Sequence, residues 1–600
     1  MLVVLNIIHK GGLPMLKLMK KLNKKDYGIV LICILLMIIQ VWLELKIPEF
    51  MSRITSLVQT DSGSMQEILE QGFYMLSCAL ISFGTAVIIG YFAALLSASV
   101  SLKLRSRIFN KVESFGMEEI KKFSTSSLIT RTTNDVSQIE MTVAMGLQVA
   151  IRAPIMAIWA ISKILNKSME WSALTGLGVL VLLTTITIIM VRVIPKFEKV
   201  QKITDKVNGV TRENVTGIRV IHAFNAEKFQ ENRFEDVNTD LTKTHLFIQR
   251  NFAFMQPIMM LVNHSLTLGI YFVGAFLINE AGMLSKITLF SDMVVFSSYG
   301  MQVIMSFLML AMIFMLIPRA QISAKRINEV LDEEASIKDG TFDGITGLVG
   351  TVEFKNVSFK YPDADENIIE NISFTANKGE TVAFIGSTGS GKSTLINLVP
   401  RFYDVTEGAI LVDGVNVKDY KLEALNNKIG YVPQKAVMFT GTVKENVTYG
   451  DSGKGPVSDE IVRNAIKVAQ ADEFVSKMDK DINSHIARGG TNVSGGQKQR
   501  LAIARAIEIN PEIYIFDDSF SALDYKTDSI LRKELKKYTK DATNLIVAQR
   551  IGTIINADKI VVLDKGKCVG IGTHKELLKN CEVYKEIALS QLSKEELENA

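Results

Sequence analysis

Six long apolar stretches dominate the first half of the chain. They lie near residues 27–47, 72–98, 140–165, 171–194, 251–278 and 287–317. A helix needs about 20 apolar residues to cross a hydrocarbon core of about 30 Å, and each stretch is long enough to do so. The sequence therefore predicts six membrane-spanning helices. With 600 residues the chain is also too long for one core, so at least one further domain is expected.

Basic residues flank these apolar stretches unevenly. Several lysines precede the first stretch, and segments 101–138 and 195–250 are rich in Lys and Arg, whereas 46–70, 166–170 and 279–286 are not. Because basic residues collect on the cytoplasmic side of membrane proteins, both termini are expected in the cytoplasm. The two basic segments are too long to be turns, and their mixed apolar and charged pattern predicts long helices that project into the cytosol.

The composition argues against several kinds of partner and site. The net charge of +4 is small for this length and gives no support for a nucleic-acid partner. The cysteines are far apart in sequence, and their spacing fits neither a metal site nor the disulfide framework of a secreted protein. This pattern is consistent with exposure to the reducing cytosol. They are Cys33, Cys78, Cys568 and Cys581.

The first 14 residues allow two interpretations. They lack the basic start and the small-residue cleavage site of a secretory signal. Lys10-Gly11-Gly12 can be encoded by a bacterial ribosome-binding sequence shortly before Met15, so Met15 is a candidate start of the natural chain. The alternative is an ordinary N-terminal extension.

Polar side chains within the predicted spans need an explanation, because they are costly in lipid and often functional. Arg152, followed by Ala153 and Pro154, either lines a substrate path or pairs within the helix bundle, and the second role is favoured. For His264, beside Asn263, a hydrogen-bonded packing role is expected.

Five methionines recur in the sixth stretch at spacings of four and three, which places them on one helical face. Methionine is flexible and polarizable, so such a stripe suits a cavity that accepts differently shaped apolar ligands. Ordinary packing against lipid or another helix is an equal alternative. The stripe consists of Met301, Met305, Met309, Met312 and Met315.

The pattern changes after the sixth stretch. The chain becomes polar, and from Thr351 alternating apolar residues predict a strand. Strand-like and helix-like segments then alternate, which is typical of an α/β domain. The predicted parts are a cytoplasmic N-terminal segment, a six-helix membrane domain, a linker, an α/β domain and a tail, over residues 1–26, 27–320, 321–345, 346–590 and 591–600.

A glycine-rich string, Gly386 to Ser393, predicts phosphate binding in the α/β domain. Its glycines let the backbone turn so that successive N–H groups point at a phosphate. Lys392 supplies positive charge, and the Ser393 hydroxyl can ligate Mg²⁺. Such a loop alone is a weak signal, because many nucleotide-binding proteins have one.

Further motifs occur in an order and spacing that resemble a known family. Val493-Ser-Gly-Gly-Gln497 and Ile513-Tyr-Ile-Phe-Asp-Asp518 follow in the same domain. Phe123-Ser-Thr-Ser-Ser-Leu128 and Glu213-Asn-Val-Thr-Gly217 lie in the two basic segments and resemble coupling loops. Nearly the whole chain resembles a half-transporter of the ATP-binding cassette superfamily. This implies a type IV exporter-like membrane domain fused to an α/β P-loop nucleotide-binding domain.

The resemblance implies ATP and Mg²⁺ as cofactors. Tyr361 matches the aromatic residue that stacks on adenine, and Gln434 matches a loop glutamine that senses Mg²⁺. Asp517 matches the acid that holds Mg²⁺ together with Ser393, and Asp524 matches the loop that joins two ATP sites. The remaining implied ATP-binding residues are Gly386, Ser387, Thr388, Gly389, Ser390, Gly391, Lys392 and Thr394 in the phosphate loop, and Ser494, Gly495, Gly496 and Gln497 in the signature.

Two positions depart from the family pattern. Asp518 stands where the family usually has a glutamate that polarises the attacking water. Its carboxylate is withdrawn by about 1.5 Å, so activation of the water should suffer strongly. Gln549 replaces a switch histidine and brings no positive charge to the γ-phosphate. We expect this half-site to bind ATP but to hydrolyse it slowly. A homodimer that tolerates both changes is the alternative.

The signature, by contrast, keeps Ser494 to Gln497, with Val493 in place of the usual leucine. In a head-to-tail dimer each ATP lies between one subunit's phosphate loop and the other's signature. The implied partner is therefore a second, non-identical half-transporter. Arg488 stands where such exporters often have a glutamate, which leaves cross-talk with the coupling loops open.

This combination resembles the degenerate-site subunit of heterodimeric bacterial multidrug-type exporters. The resemblance implies a multi-pass protein of the cytoplasmic membrane that moves small amphipathic or hydrophobic substrates through the lipid bilayer, with its nucleotide-binding domain in the cytoplasm. A lipid flippase, a peptide exporter and a homodimeric exporter are alternatives. An ATP-gated channel or regulatory subunit ranks last.

Overall fold

The computed structural model describes residues 14–19, 23–59, 64–165, 169–450 and 455–592. These residues form two compact units. The first contains the chain up to Glu113 together with Thr125–Glu333, and the second contains Ser114–Ser124 together with the chain from Glu334. Residues 1–13, on which the choice of start depends, and the end of the predicted tail lie outside the described residues.

The first unit is helical. A π-helical turn at Arg131–Asp135 joins two of its helices, one ending at Thr130 and the other beginning at Val136. In chain order, and including the short α4 that groups with the second unit, the helices are α1 (Pro14–Met19), α2 (Lys24–Gln59), α3 (Met65–Glu113), α4 (Met117–Phe123), α5 (Thr125–Thr130), α6 (Val136–Leu165), α7 (Met169–Thr216), α8 (Ile218–Ala223), α9 (Glu227–Ala253), α10 (Met255–Glu280) and α11 (Met283–Asp332).

Six helical segments of the described chain are long and apolar enough to cross a membrane, which confirms the predicted number of spans. α3 has 49 residues and α7 has 48. At about 1.5 Å per residue each is about 70 Å long, more than twice the hydrocarbon core. These helices therefore continue into segments 101–138 and 195–250, and α11 passes the predicted boundary at residue 320 without a break.

Buried aromatic side chains connect the helices of the first unit. Trp171 of α7 and Phe296 of α11 are buried, with ring centroids 5.3 Å apart. Tyr299, also buried, donates a hydrogen bond from its hydroxyl to the Leu45 carbonyl oxygen at 2.9 Å. α11 is thus attached to both α7 and α2.

The second unit is built on strands and short helices. Its strands are β1 (Val352–Phe359), β2 (Ile369–Ala376), β3 (Thr381–Gly386), β4 (Glu407–Val412), β5 (Val415–Asn416), β6 (Ile429–Val432), β7 (Gly441–Thr442), β8 (His485–Ile486), β9 (Ile513–Asp517), β10 (Thr543–Val547), β11 (Lys559–Asp564) and β12 (Lys567–Gly572). Its further helices are α12 (Lys392–Asn397), α13 (Leu422–Asn426), α14 (Val443–Val447), α15 (Asp459–Val468), α16 (Asp472–Val475), α17 (Gly495–Ile509), α18 (Tyr525–Tyr538), α19 (Ile551–Ile554), α20 (His574–Asn580) and α21 (Glu582–Leu589).

Ten of the strands form one sheet in the order β5-β4-β1-β2-β12-β11-β3-β10-β9-β6, while β7 pairs with β8. The half from β11 to β6 is parallel, and the half around β1 is antiparallel. β9 is buried at every position, as expected for a parallel strand covered on both faces. The predicted fold class, a helical membrane domain fused to an α/β domain, is confirmed.

The register of the parallel strands brings several strand ends to one edge. Val547 pairs with Phe384 and with Asp517, and Val432 pairs with Phe516. β3, β6, β9 and β10 therefore end close to one another. In open α/β sheets, ligands bind at the carboxyl ends of the strands. A ligand site is therefore expected at this edge of the sheet.

Candidate functional site

The glycine-rich loop lies between β3 and α12, at this carboxyl edge. Gly386 leaves no room for a side chain, since a Cβ there would lie 2.1 Å from the Leu563 carbonyl oxygen. Gly391, directly before α12, has a φ of +92°, which favours glycine. These two glycines produce the sharp strand-to-helix turn. Between them Ser390 is buried, and the exposed residues are Ser387, Thr388 and Gly389.

Lys392 folds back over the loop. Its Nζ donates hydrogen bonds to the carbonyl oxygens of Gly386 and Ser387, both at 2.8 Å. Burial lowers the pKa of Lys392, while the nearby carboxylates of Asp518 and Asp517 act in the opposite direction. Because a buried charge is costly unless it is paired, this ammonium favours an anionic ligand such as a phosphate.

Two of the three predicted metal ligands, Ser393 and Asp517, are in direct contact. The Ser393 hydroxyl donates to Oδ1 of Asp517 at 2.7 Å. Burial raises the pKa of Asp517, in spite of the hydrogen bond from Ser393. Hydroxyl and carboxylate oxygens suit Mg²⁺, which takes one or two carboxylates and completes its shell with phosphate and water. Among the described residues, no group of three or more His, Cys, Asp or Glu side chains could hold a metal ion.

Asp518 contacts the other two residues predicted to take part in catalysis. Its Oδ2 accepts a hydrogen bond from Gln549 Nε2 at 2.7 Å and a longer one from Gln434 Nε2 at 3.4 Å. Asp518 is 7% exposed. Its backbone adopts a φ of +47°, and its N–H donates to the Val547 carbonyl oxygen at 3.1 Å. The ends of β9, β10 and β6 thus bring together three residues that are far apart in sequence.

Tyr361, the predicted adenine-stacking residue, lies beside the phosphate loop. Its hydroxyl is 3.2 Å from Oγ1 of Thr394. Its ring makes edge-to-face contacts with Phe359 and Tyr403, at centroid distances of 4.9 and 5.2 Å. The Tyr361 ring is therefore held beside the phosphate loop.

Sequence reasoning missed Lys121, which contacts the same tyrosine. Lys121 belongs to the segment Ser114–Ser124, which groups with the α/β domain. Its Nζ lies 5.6 Å from the centre of the Tyr361 ring and 3.2 Å from Oδ2 of Asp363. It precedes Phe123, where the string that resembles a coupling loop begins, and this position was the available signal.

The signature residues form the start of α17. The Ser494 hydroxyl accepts a hydrogen bond from the Gln497 N–H at 3.3 Å, and the Gln497 side chain accepts one from the Ser494 N–H at 2.8 Å. This reciprocal pair is a capping box. Gly495 is the first residue of the helix, and a Cβ at Gly496 would lie 3.3 Å from the Ala522 carbonyl oxygen.

Asp524 ends the loop that packs against the signature. It caps α18, because its Oδ1 accepts a hydrogen bond from the Thr527 N–H at 2.9 Å. The same hydrogen bond lowers the pKa of Asp524. The signature and Asp524 are therefore adjacent, and each is part of a capped helix start.

Two of the cavities among the described helices of the first unit are lined by residues that the sequence singles out. The larger has a volume of about 1300 Å³ and is lined by several methionines and by polar side chains that include Asn263 and His264. The smaller, of about 260 Å³, is lined by Met309 and Arg152. Met305 borders both cavities. Two methionines of the predicted stripe thus face cavities, and the side chains of the last two are not among the described ones.

Arg152 is paired within the helix bundle. Its guanidinium donates to both carboxylate oxygens of Glu44 on α2, at 2.8 and 2.9 Å. Glu44 also accepts a hydrogen bond from Gln40 Nε2 at 3.1 Å. Both members of the ion pair border the smaller cavity, so pairing does not remove Arg152 from a possible substrate path.

Two family models match the chain. The model of the ABC transporter transmembrane region matches residues 30–307, and the model described as ABC transporter matches residues 369–521. The chain is also similar to a solved structure, that of a bacterial Atm1-family ABC exporter with ATP bound. The comparison gives a TM-score of 0.81 at 23% sequence identity and covers 95% of this chain and 100% of the other. At this identity the likeness shows the fold alone.

Relatives are also similar over most of their length. The chain is 37% identical over 531 residues to an uncharacterized ABC transporter ATP-binding protein of Mycobacterium tuberculosis, with 88% of this chain and 90% of the relative covered. It is 34% identical over 581 residues to one of Bacillus subtilis, covering 95% and 98%. An ATP-dependent lipid A-core flippase of Pseudomonas fluorescens is 32% identical over 493 residues, covering 81% and 80%.

Proposed function

Because the chain belongs to the ABC transporter family, as an exporter half-transporter with a transmembrane and an ATP-binding domain, we propose that it is the degenerate-site subunit of a heterodimeric exporter. Its own half-site binds ATP but hydrolyses it slowly, and its signature serves the ATP site of a non-identical partner. The observation that carries this proposal is the hydrogen bond from Gln549 to Asp518 at 2.7 Å.

Slow hydrolysis follows from the positions of these two side chains. Phosphoryl transfer depends on orienting the attacking water and on stabilising charge at the γ-phosphate. The Asp518 carboxylate is one methylene shorter than a glutamate, and one of its oxygens already accepts from Gln549. Gln549 carries no charge for the γ-phosphate. Both functions of the hydrolytic pair are therefore weakened at this half-site.

ATP binding depends on other residues, whose arrangement supports it. Lys392 and the turn from Gly386 to Gly391 provide a phosphate site, and Tyr361 provides a surface for adenine. Ser393 and Asp517 would hold Mg²⁺, which neutralises charge on the phosphates when it is bound. ATP should therefore remain at this half-site for longer than at the partner's.

The cavities support an amphipathic substrate. The larger one combines methionines with hydrogen-bonding side chains, and methionine-lined surfaces adapt to differently shaped apolar ligands. Positive charge in segments 101–138 and 195–250 supports a cytoplasmic location for these segments and for the ATP-binding domain, and so export across a bacterial cytoplasmic membrane. A lipid substrate is the second candidate, because a lipid A-core flippase is a relative at 32% identity.

Substitutions at the two half-sites test the asymmetry. The full-length chain is co-expressed with the half-transporter that co-purifies with it, and ATP turnover is measured in proteoliposomes. We expect Asp518→Ala to lower turnover by less than about twofold, whereas replacing the partner's catalytic glutamate by glutamine abolishes it. If Asp518→Ala abolishes turnover, or if the chain purifies only with itself, the heterodimer proposal is wrong.

A gain of function provides the complementary test. Asp518→Glu with Gln549→His should raise single-turnover cleavage of ATP on this chain by about a hundredfold, the contribution typical of a positioned general base. Each single substitution serves as a control and should give a smaller gain. Cleavage that stays at the wild-type rate in the double variant would contradict the proposal that these two positions limit hydrolysis.

A further inference from the structure

The loop after β10 is held by a side chain from the C-terminal end of the chain. Gln591, just beyond α21, donates from Nε2 to the Gln549 carbonyl oxygen at 2.8 Å. Its Oε1 accepts from the Ile551 N–H, also at 2.8 Å. One carboxamide thus bridges two main-chain groups on either side of Arg550. The sequence contains no motif that draws attention to this glutamine.

The bridge satisfies groups that would otherwise lack partners. Ile551 is the first residue of α19 and is buried. The first N–H groups of a helix have no partner within the helix, and Arg550, at the N-cap position, supplies no side-chain cap. The Gln591 side chain provides this cap from 40 residues away in sequence.

α21 is itself firmly anchored, so it can hold the loop in place. Tyr584 is fully buried, and its hydroxyl lies 2.7 Å from Nδ1 of buried His574 on α20. Ala588 is buried in the same core cluster as Ile551 and Ile554. The last turn of α21 is therefore packed against the segment that Gln591 bridges.

The geometry points to Gln591 as a positioning residue for the ATP site. It fixes the main chain of Gln549 by its carbonyl oxygen, and so sets the distance between the Gln549 carboxamide and Asp518. This inference rests on the proposed ATP site. It means that the residue just after the C-terminal helix α21 determines where Gln549 lies relative to a bound nucleotide. Gln591 touches neither of the two side chains directly, so it acts through the backbone.

A second contact holds the same segment from the opposite end. Arg532 of α18 donates to the Gly552 carbonyl oxygen at 2.5 Å and pairs with Asp528 at 3.0 Å. α18 begins at Asp524, the residue beside the signature. This segment, residues 549–553, which we call the switch segment, is thus connected to α18 and to the end of α21. Arg532 holds the far end of the segment at Gly552, whereas Gln591 holds the carbonyl oxygen of Gln549 itself.

Hydrogen–deuterium exchange of the full-length chain in lipid nanodiscs tests the bridge directly. Gln591→Met has a similar length but makes neither hydrogen bond, so the amides of residues 549–553 should exchange about tenfold faster. Gln591→Glu keeps an acceptor for the Ile551 N–H and should leave that amide protected. Lys585→Met, on the exposed face of the same helix, is the matched control and should change nothing.

ATP cleavage tests the positioning role. In the Asp518→Glu/Gln549→His background, Gln591→Met should lower kcat about tenfold while KM for ATP stays within about twofold, because the phosphate loop is untouched. Gln591→Glu should give the same kcat loss, since it repels the Gln549 carbonyl. A purely structural role would lower thermal stability and change KM together with kcat.

The outcomes separate this inference from the proposed function. If the double variant gains no cleavage over the wild type, the proposed cause of slow hydrolysis is wrong, and the exchange experiment still decides whether the bridge exists. If exchange at residues 549–553 is unchanged in Gln591→Met, or if kcat is unchanged while exchange accelerates, Gln591 is not a positioning residue. Faster exchange together with a selective loss of kcat supports it.

Discussion

At the scale of single residues, protonation of Asp517 should change the affinity for Mg²⁺ and ATP. Burial raises its pKa above the usual 3.8, so it stays protonated to higher pH than a free aspartic acid. Mg²⁺ binds the carboxylate and not the acid. In the absence of metal, this raised pKa also means that the contribution of Asp517 to the free energy of unfolding falls as the pH rises from 3.8 through the raised pKa.

We therefore expect Mg²⁺-dependent ATP binding to strengthen as the pH rises through the raised pKa of Asp517, with release of a proton. Isothermal titration with MgATP in buffers of different ionisation enthalpy measures both the affinity and the proton release. Asp517→Asn is the control, because it removes this titration while ATP keeps its own. A wild-type pH profile identical to that of Asp517→Asn would contradict the prediction.

At the scale of elements, α14, α17 and α20 of the α/β domain each begin with a capping box, and α17 differs from α20 in expected function. Ser494 and Gln497 cap α17, and Thr573 and Glu576 cap α20 with equivalent hydrogen bonds. Losing an N-cap hydroxyl costs about 1 kcal/mol. The stability cost of removing either hydroxyl should therefore be similar, and only α17 carries the signature.

Ser494→Ala and Thr573→Ala form a matched pair for this reason. Both should lower the free energy of unfolding of the ATP-binding domain by about 1 kcal/mol. Only Ser494→Ala should also lower ATP turnover of the assembled transporter, by about tenfold or more, because its hydroxyl contacts the partner's nucleotide in the proposed dimer. Thermal unfolding and turnover are measured on the same samples. Equal turnover in the two variants would show that Ser494 acts only as a cap.

The helix pair α20 and α21 should be sensitive to acid. Burial lowers the pKa of His574 below its ordinary 6.5, and neighbouring Lys575 acts in the same direction. A lowered pKa means that the neutral imidazole stabilises the folded state above about pH 6.5 and that this stability is lost as the pH falls through the lower folded value. Gln591 follows this pair, so loosening α21 also releases the switch segment.

Exchange of the α21 amides should therefore accelerate on acidification, after correction for the intrinsic pH dependence of exchange. His574→Phe, which fills the same space without a titrating group, should show no such acceleration. Its general stability is checked by thermal unfolding at neutral pH. Acid-induced loosening of equal size in this variant would assign the effect to another group.

At the scale of the whole molecule, the predictable features are those that are local in sequence. Six apolar stretches are sufficient to predict six spans, and the glycine-rich loop from Gly386 to Gly391 is recognised from consecutive residues. The contact between Gln549 and Asp518 joins ends of different strands, and its 2.7 Å distance depends on the sheet register. The positions were expected to act at one site, but no sequence pattern predicts their direct hydrogen bond.

The contacts of Gln591 and Lys121 could not be predicted from the sequence, for the same physical reason. Each pairs with groups that are remote in sequence, and neither belongs to a periodic pattern or a motif. The grouping of Ser114–Ser124 with the ATP-binding domain likewise depends on tertiary contacts, such as the hydrogen bond from the Ser336 N–H to Glu119 Oε1 at 2.9 Å. Polarity and helical pattern describe that segment but do not say which unit it packs with.

Substitutions of Arg152 and Glu44 can distinguish the two roles considered for Arg152, which are pairing within the helix bundle and lining a substrate path. Removing one partner of an ion pair that is shielded from water is destabilising, whereas replacing both charges by apolar residues of similar volume is often neutral. Arg152→Met alone should therefore lower the unfolding temperature strongly, and Glu44→Leu alone should do the same. The double variant should recover most of the loss.

Transport by the double variant then gives the answer, measured with amphipathic dyes and with labelled lipids in proteoliposomes. If the pair only holds α2 against α6, the double variant folds and transports at close to the wild-type rate. If the ion pair beside the smaller cavity also contacts the substrate, the double variant folds but its substrate-stimulated ATP turnover falls, most for charged substrates. We expect the first result, because Arg152 donates to both carboxylate oxygens of Glu44. Selective loss of transport in a stable double variant would contradict it.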